Sequence, residues 1–274
     1  MATIAIGQPI GSGGAELGAL IARRLEARFL ALDDLRREAA GRYQIDPEQL
    51  RVFDTREPHF WESLTADTTR LLTYFHAVIL KHLAEDQVVL VSHAMPAWVP
   101  KSVSHVFRVR TIAPIEVRVR RVMGEEHLSA RHAEHRVHES DREVHARMRS
   151  VLKVDIEDAQ LYDVMLNTAS APLDTLAAVV IDLARAVEQN SSANSRIVLK
   201  DACIAAQVRA ALMAQPKIGH ASLKVMSSTG AVTITGQSLV PPWDRLVRDV
   251  VAQVEGVTSV KLEADEPLIL PRMG

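Results

Sequence analysis

Short apolar runs alternate with longer amphipathic stretches along residues 1–188, and that rhythm predicts strands and helices in turn. The runs fall at 2–6, 29–32, 87–91, 104–109 and 162–166. The run QVVLV at 87–91 is continuous and β-branched, as a strand buried on both faces requires. Between the runs, apolar residues recur at helical spacing. Leu17, Leu20, Ile21 and Leu25 share one face of a helix over 15–25. Trp61, Leu64, Leu71, Leu72, Phe75, Ile79 and Leu83 do the same over 60–84. Further helices are expected over 114–123 and 173–187, with loop and a short helix over 41–58. Five short strands with helices between them predict an α/β fold, a parallel doubly wound sheet with helices on both faces.

The rhythm changes after residue 188. The stretch QNSSANS at 189–195 is polar and built of small residues, which predicts a flexible linker. Beyond it the pattern gives a helix over 201–213, alternating strands at 221–226 and 231–235, a helix over 243–254 and a strand at 256–260. The order αββαβ defines a small α+β domain at 196–274, set apart from the first domain at 1–188.

Composition narrows the class. Of the 274 residues, 47% are hydrophobic and 24% charged, a globular balance. The formal charge of −2 supplies no field that would draw nucleic acid. The single cysteine, Cys203, excludes an intrachain disulfide framework and fits a reducing compartment. No run is long enough to span a bilayer, and the chain opens on a strand rather than a basic leader. The expectation is a cytoplasmic protein without a transmembrane segment.

The candidate chemistry begins where the first strand meets the glycine-rich turn at 7–14. Strand, glycine turn and helix in that order form a phosphate-binding loop. Glycines let the backbone approach an anion, and the first helical N–H groups point at it. Gly11, Ser12, Gly13 and Gly14 are the cofactor-binding candidates. The lysine and hydroxyl that usually end such a loop are absent, because Ala15 and Glu16 follow Gly14. A tight turn without a ligand is the competing explanation. Asp33 and Asp34 sit at the carboxyl end of the second apolar run, where α/β proteins place ligands, or else cap the helix that starts near Leu35. Region 124–150 holds five of the eleven histidines. The spacing of His132, His135 and His138 allows a metal site, but the interleaved charges favour a solvated helical face. The arginines of the same region, among them Arg131, Arg142 and Arg147, are suited to phosphate, which a guanidinium grips with two parallel bonds, or else make ordinary i,i+4 ion pairs on an exposed helix. Arg118, Arg120 and Arg121 lie outside the core or at a ligand.

The strand followed by GSGG, the Asp33 region, the buried strand at 87–91, HVFRVRTIAPIEVRVRRVM, SDRE at 140–143 and YDVMLNT at 162–168 occur in an order that resembles the cytidylate kinase-like family. That family is a branch of the phosphate-binding-loop nucleoside monophosphate kinases. The resemblance implies phosphoryl transfer from ATP, with Mg2+, to a small nucleotide or related acceptor. It further implies that Arg131, Arg142 and Arg147 act as lid residues and that Asp33 orients the acceptor or a magnesium-bound water. Two positions depart from the family pattern. Ser92-His93 stands where the family tends to carry Gly-Arg, and Ala15 where it often carries a basic residue. Both departures remove phosphate-binding charge and open the alternative of a catalytically weak pseudokinase or an adaptor. The tail, with Asp201, the GAVTITG run at 230–236 and VEGV at 254–257, resembles a BON domain. Such a domain implies a protein or phospholipid partner.

Overall fold

The computed structural model describes residues 2–50, 66–216, 218, 223–236 and 242–264. Five strands form the main sheet: β1 (Thr3–Gly7), β2 (Arg28–Ala31), β3 (Val88–Ser92), β4 (Val106–Ile112) and β5 (Val164–Asn167). They run in the order β2-β3-β1-β4-β5, and every pairing is parallel. β1 and β3 are buried along their whole length, as their unbroken apolar sequence demands.

Successive residues of a strand point to opposite faces, so the sheet divides its apolar residues into two cores. One core takes Ile4, Ile6, Val89, Val91, Phe107 and Val109, and packs them against helices α1 (Gly14–Leu25) and α6 (Leu173–Asn190). The other takes Ala5, Val88, Leu90 and Val106, and packs them against α2 (Leu32–Tyr43) and α3 (Ala66–Ala84). Helices α4 (Ile115–Glu126) and α5 (Ala130–Val151) form a pair that closes over the carboxyl end of the sheet through Val122, Ala133 and Val137. Phe60–Thr65 and Pro58, assigned above to a helix and its preceding loop, lie outside the described residues.

The stretch expected as a linker is helical at both ends. α6 runs on to Asn190, and α7 (Ala193–Met213) begins eight residues earlier than the periodicity indicated. Only Ser191 and Ser192 lie between them. The polar residues of this stretch have partners that sequence alone does not reveal. Ser195, 1% exposed, accepts the N–H of Ser104 at 2.7 Å and of His105 at 3.2 Å, and shares a 2.6 Å hydrogen bond with His105 Nδ1. Arg196 donates to Asp86 and to Glu188.

α7 is apolar on more than one face. Leu199, Ala206 and Ala210 belong to the core of the main sheet, and Ile204, Ala205, Val208 and Leu212 to a second core. That second core lies under a three-stranded sheet of β6 (Lys224–Ser228), β7 (Ala231–Gly236) and β8 (Ser259–Ala264), together with α8 (Trp243–Ala252). β6 and β7 are antiparallel, while β7 and β8 are parallel. Ala221 and Ser222, expected in the first of these strands, lie outside the described residues. Asp201 accepts from Ser227 Oγ and from the N–H groups of Thr229 and Gly230, which ties α7 to the β6–β7 turn. Gly230 has φ +82°, and a Cβ there would lie 2.6 Å from the Gly256 carbonyl. Gly236 closes β7.

Candidate active site

The turn between β1 and α1 spans residues 8–13, and the helix begins at Gly14. Gly11 and Gly13 both lie at positive φ, +71° and +72°. A Cβ on Gly11 would fall 2.6 Å from the Arg118 carbonyl, and one on Gly14 would fall 2.7 Å from Gln8. The turn is therefore compressed against its neighbours, and glycine is required by space as well as by φ. The first N–H groups of α1 have no helical partner and carry the positive end of its dipole.

Groups from β4, from the segment after β5 and from α4 hold this turn. Ser12 is fully buried, and its hydroxyl shares a 2.7 Å hydrogen bond with Thr111 at the end of β4. Thr168, just past β5, donates its hydroxyl to the Ser12 carbonyl at 2.7 Å. Arg121 of α4 donates to the Gly11 carbonyl at 3.1 Å and to Thr168 Oγ1 at 2.9 Å. Arg118, one helical turn away, donates Nε to the Ile10 carbonyl at 2.8 Å. Its two Nη atoms grip Asp141 of α5 at 2.8 and 2.7 Å, a fork that fixes the helix pair above the turn.

A cavity of about 260 Å3 opens beside the turn, at the carboxyl ends of β1, β3 and β4. In an open parallel sheet this is the position where ligands bind. Gln8, His93, Arg110, Arg118, Ser140, Asp141, His145 and Glu157 supply its polar lining. His93 Nδ1 lies 3.1 Å from the Gln8 carbonyl. Arg110 is 4% exposed and donates to Tyr162 Oη at 3.1 Å and to Glu157. A smaller apolar recess behind His93 is walled by Leu32, Phe75, Trp98, Met148 and Arg147. Beside the first turn of α1, burial raises the Glu125 carboxyl above its ordinary value, with the charges of Glu16 and Glu126 adding to the effect.

The residues selected from sequence are distributed unevenly around this site. Gly11, Ser12, Gly13 and Gly14 form the turn itself. Arg147 is buried in the wall of the apolar recess. Arg131 and Arg142 stand on exposed positions of α5. Asp33 has its side chain 81% exposed and pairs with Arg36. The capping role belongs to Asp34, which accepts the Ala31 N–H at 2.9 Å, so the helix starts at Leu32 rather than near Leu35. His132, His135 and His138 are exposed on α5, and among the described residues no three His, Cys, Asp or Glu side chains are grouped to hold a metal ion. Arg121, placed from sequence either outside the core or at a ligand, braces the turn, whereas Thr111, Thr168 and the cavity arginine Arg110 had no role assigned from sequence, although each falls inside a quoted motif.

Residues 3–170 match the family described as cytidylate kinase-like. The chain belongs to the cytidylate kinase-like family. The family segment ends shortly after β5, so it contains the glycine turn, the helix pair and the cavity. Curated relatives of this cytidylate kinase-like chain include a cytidylate kinase of Natronomonas pharaonis, 28% identical over 65% of this chain and 86% of the relative. Another is a cytidylate kinase of Sulfolobus acidocaldarius, 21% identical over 65% of this chain and 91% of the relative. Among solved structures, an uncharacterized protein from Eubacterium ventriosum superposes with a TM-score of 0.52 at 15% identity, over 68% of this chain and 98% of that one. At that identity the likeness speaks for the fold of the cytidylate kinase-like unit alone. Among the described residues no helix is long and apolar enough to cross a membrane.

Proposed function

We propose that this member of the cytidylate kinase-like family transfers a phosphoryl group from ATP to a small nucleotide, with CMP as the first acceptor to try. The observation that carries the reading is the glycine turn braced by Thr111, Thr168 and two arginines at the mouth of a polar cavity. In phosphoryl transfer most of the catalysis is positioning and charge neutralisation, which amides and guanidinium groups supply. The turn amides and the start of α1 hold the donor phosphates. Arg121 and Arg118 bring cations to the turn in place of the missing lysine. Arg147, Arg142 and Arg131 on α5 supply further charge when α4 and α5 close over the substrates, and Asp33 orients the acceptor. Nucleotide phosphates fit this turn, because the glycines clear the approach and the helix dipole favours an anion. Magnesium, when bound, would neutralise phosphate charge. Gly14, Ala15 and Glu16 follow Gly13 without a lysine or a hydroxyl, so the ion's oxygen ligands would come mainly from the nucleotide phosphates and water.

A second reading rests on a specific observation. Arg118 and Arg121 already donate to turn carbonyls, and no lysine stands behind them. This favours a nucleotide-binding pseudokinase that signals through 196–274, taken as a BON-like unit with a protein or phospholipid partner. The αββαβ order of that unit supports the assignment. ADP release from ATP, followed with a panel of nucleoside monophosphates, separates the two. Calorimetric binding of ATP without any ADP release selects the pseudokinase. Absence of ATP binding removes both readings.

A further inference from the structure

A phosphoryl transfer engages two anions, and the glycine turn accounts for one. We propose that the inner end of the cavity is a seat for the phosphate monoester of the second substrate. Arg110 anchors that group, and the carboxylate of Glu157 occupies the seat until it arrives. The inference rests on the kinase reading given above and specifies its acceptor side.

Arg110 lies at the carboxyl end of β4, two strand positions before Ile112, and is 4% exposed. A guanidinium that deep requires an anion against it. The anion it has comes from the solvent side, because the Glu157 side chain is 55% exposed. Glu157 sits on the irregular stretch between α5 and the single turn at Ala159–Leu161. That stretch is anchored by Ile156, 4% exposed in the core, and by Arg149 to Asp155, His145 near Asp155 and Glu157, and the Tyr162 hydroxyl donating to the Ile156 carbonyl at 2.7 Å, so it is the exposed Glu157 side chain, and not the backbone, that can swing aside.

The fork of Arg110 is only partly used. Nη1 donates to Tyr162 Oη and Nη2 to Glu157, while Nε is buried without a partner among the described residues. Tyr162 also lies against the guanidinium, with its ring centre 5.5 Å from Cζ, and so fixes its plane. A phosphate has three oxygens and takes Nε and Nη2 side by side, where the carboxylate of Glu157 is bonded to Nη2 alone. The other cavity arginine is not available in this way. Arg118 spends both Nη atoms on Asp141 and its Nε on the Ile10 carbonyl. Of the two, Arg110 is therefore the guanidinium with a whole nitrogen unpartnered among the described residues, and Glu157 is the group that must yield.

The test uses the full chain and the variants Glu157→Gln and Arg110→Lys, with Asp141→Asn as a control. Inorganic phosphate is titrated by 31P NMR, and CMP and cytidine by calorimetry. With its internal competitor neutralised, Glu157→Gln binds both inorganic phosphate and CMP about five- to tenfold more tightly, while cytidine is unchanged. Arg110→Lys, which keeps the charge but loses the fork, weakens CMP by about tenfold. A structural ion pair would give the opposite sign for Glu157→Gln, because loosening the wall would weaken binding. Unchanged or weaker binding of CMP by Glu157→Gln overturns the proposal. So does equal tightening of cytidine, equal tightening by Asp141→Asn, or a gain for free phosphate with none for CMP. ATP, titrated in parallel, keeps the two readings separate. Loss of ATP binding with the Glu157→Gln gain intact removes the kinase reading and leaves the seat, and the reverse pattern removes the seat alone.

Discussion

Replacing Ser195 with alanine tests how α7 is fastened to the main sheet. The serine hydroxyl serves three groups: the N–H of Ser104 at 2.7 Å, the N–H of His105 at 3.2 Å and His105 Nδ1 at 2.6 Å. Ser195 is 1% exposed and His105 2%, so water does not readily replace the lost oxygen. A buried donor or acceptor left unpaired costs about 1–3 kcal/mol. The Ser104 N–H is only partly buried and recovers a water, which leaves two stranded groups. Alanine returns about 0.5 kcal/mol of helix propensity. The expected net loss is about 3 kcal/mol of stability. In a protein of this size that corresponds to roughly a 5–10 °C fall in Tm. Urea unfolding, followed by tryptophan fluorescence to which Trp98 in the core contributes, measures it. Ser192→Ala is the control. Ser192 precedes α7, is exposed and makes no side-chain cap, so the change should stay within about 0.5 kcal/mol. If Ser195→Ala and Ser192→Ala melt together with the parent, the hydroxyl is not what fastens the helix and the reasoning fails.

Other outcomes follow from the same geometry. Gly13→Ala places a Cβ 3.1 Å from Arg121 Nη1 at φ +72°, and should weaken ATP by about tenfold in calorimetry while lowering Tm only slightly. Arg121→Ala frees the Gly11 carbonyl and Thr168, and should weaken ATP by about ten- to a hundredfold, whereas Arg149→Ala, whose partner is Asp155, should leave ATP affinity unchanged. Stability should fall as pH drops. Burial, aided by the charge of Arg209, holds His76 down to about 4, and burial followed by the charge of Arg196 lowers His105. The unfolded chain takes up protons that the folded one refuses, so stability is full above pH 6.5 and declines from there toward pH 4. Urea midpoints measured at steps from pH 7.5 to 4.5 check the direction, and His76→Leu should flatten the slope.

Much of the fold was legible because the strands are continuous apolar runs. Residues 87–91 stood out for the physical reason that they are buried, both faces needing apolar side chains at once. The glycine turn was equally plain, since Gly11 and Gly13 are residues that the backbone demands. What stayed hidden depends on contacts far apart in sequence. Thr111 lies 99 positions from Ser12, and Thr168 lies 156 positions from it, so nothing local marks either as a brace for the turn. Arg131 and Arg142 drew attention as members of a charge-rich helix, yet exposure is decided by helical phase, which turns Ser140, Val144 and Arg147 inward and leaves those two outside. The polar stretch at 189–195 misled for a related reason. A serine counts as loop material until a backbone N–H is brought to its hydroxyl, and Ser195 meets two of them.

The double allegiance of α7 has a consequence for how this chain can be cut or recombined. The helix gives Leu199, Ala206 and Ala210 to one core and Ile204, Val208 and Leu212 to the other, in alternation from Ile204 onward. No position along it can be severed without stripping both. A fragment ending at Asn190 would lose the cover over α3 and present bare apolar surface to water, whereas one ending at Met213 would keep that cover but carry an unpaired stripe of its own. The piece that travels intact through gene fusion or exchange is thus the whole length from β1 to β8. A C-terminal unit grafted from another protein would be accepted only if its first helix brought residues to match two surfaces at once.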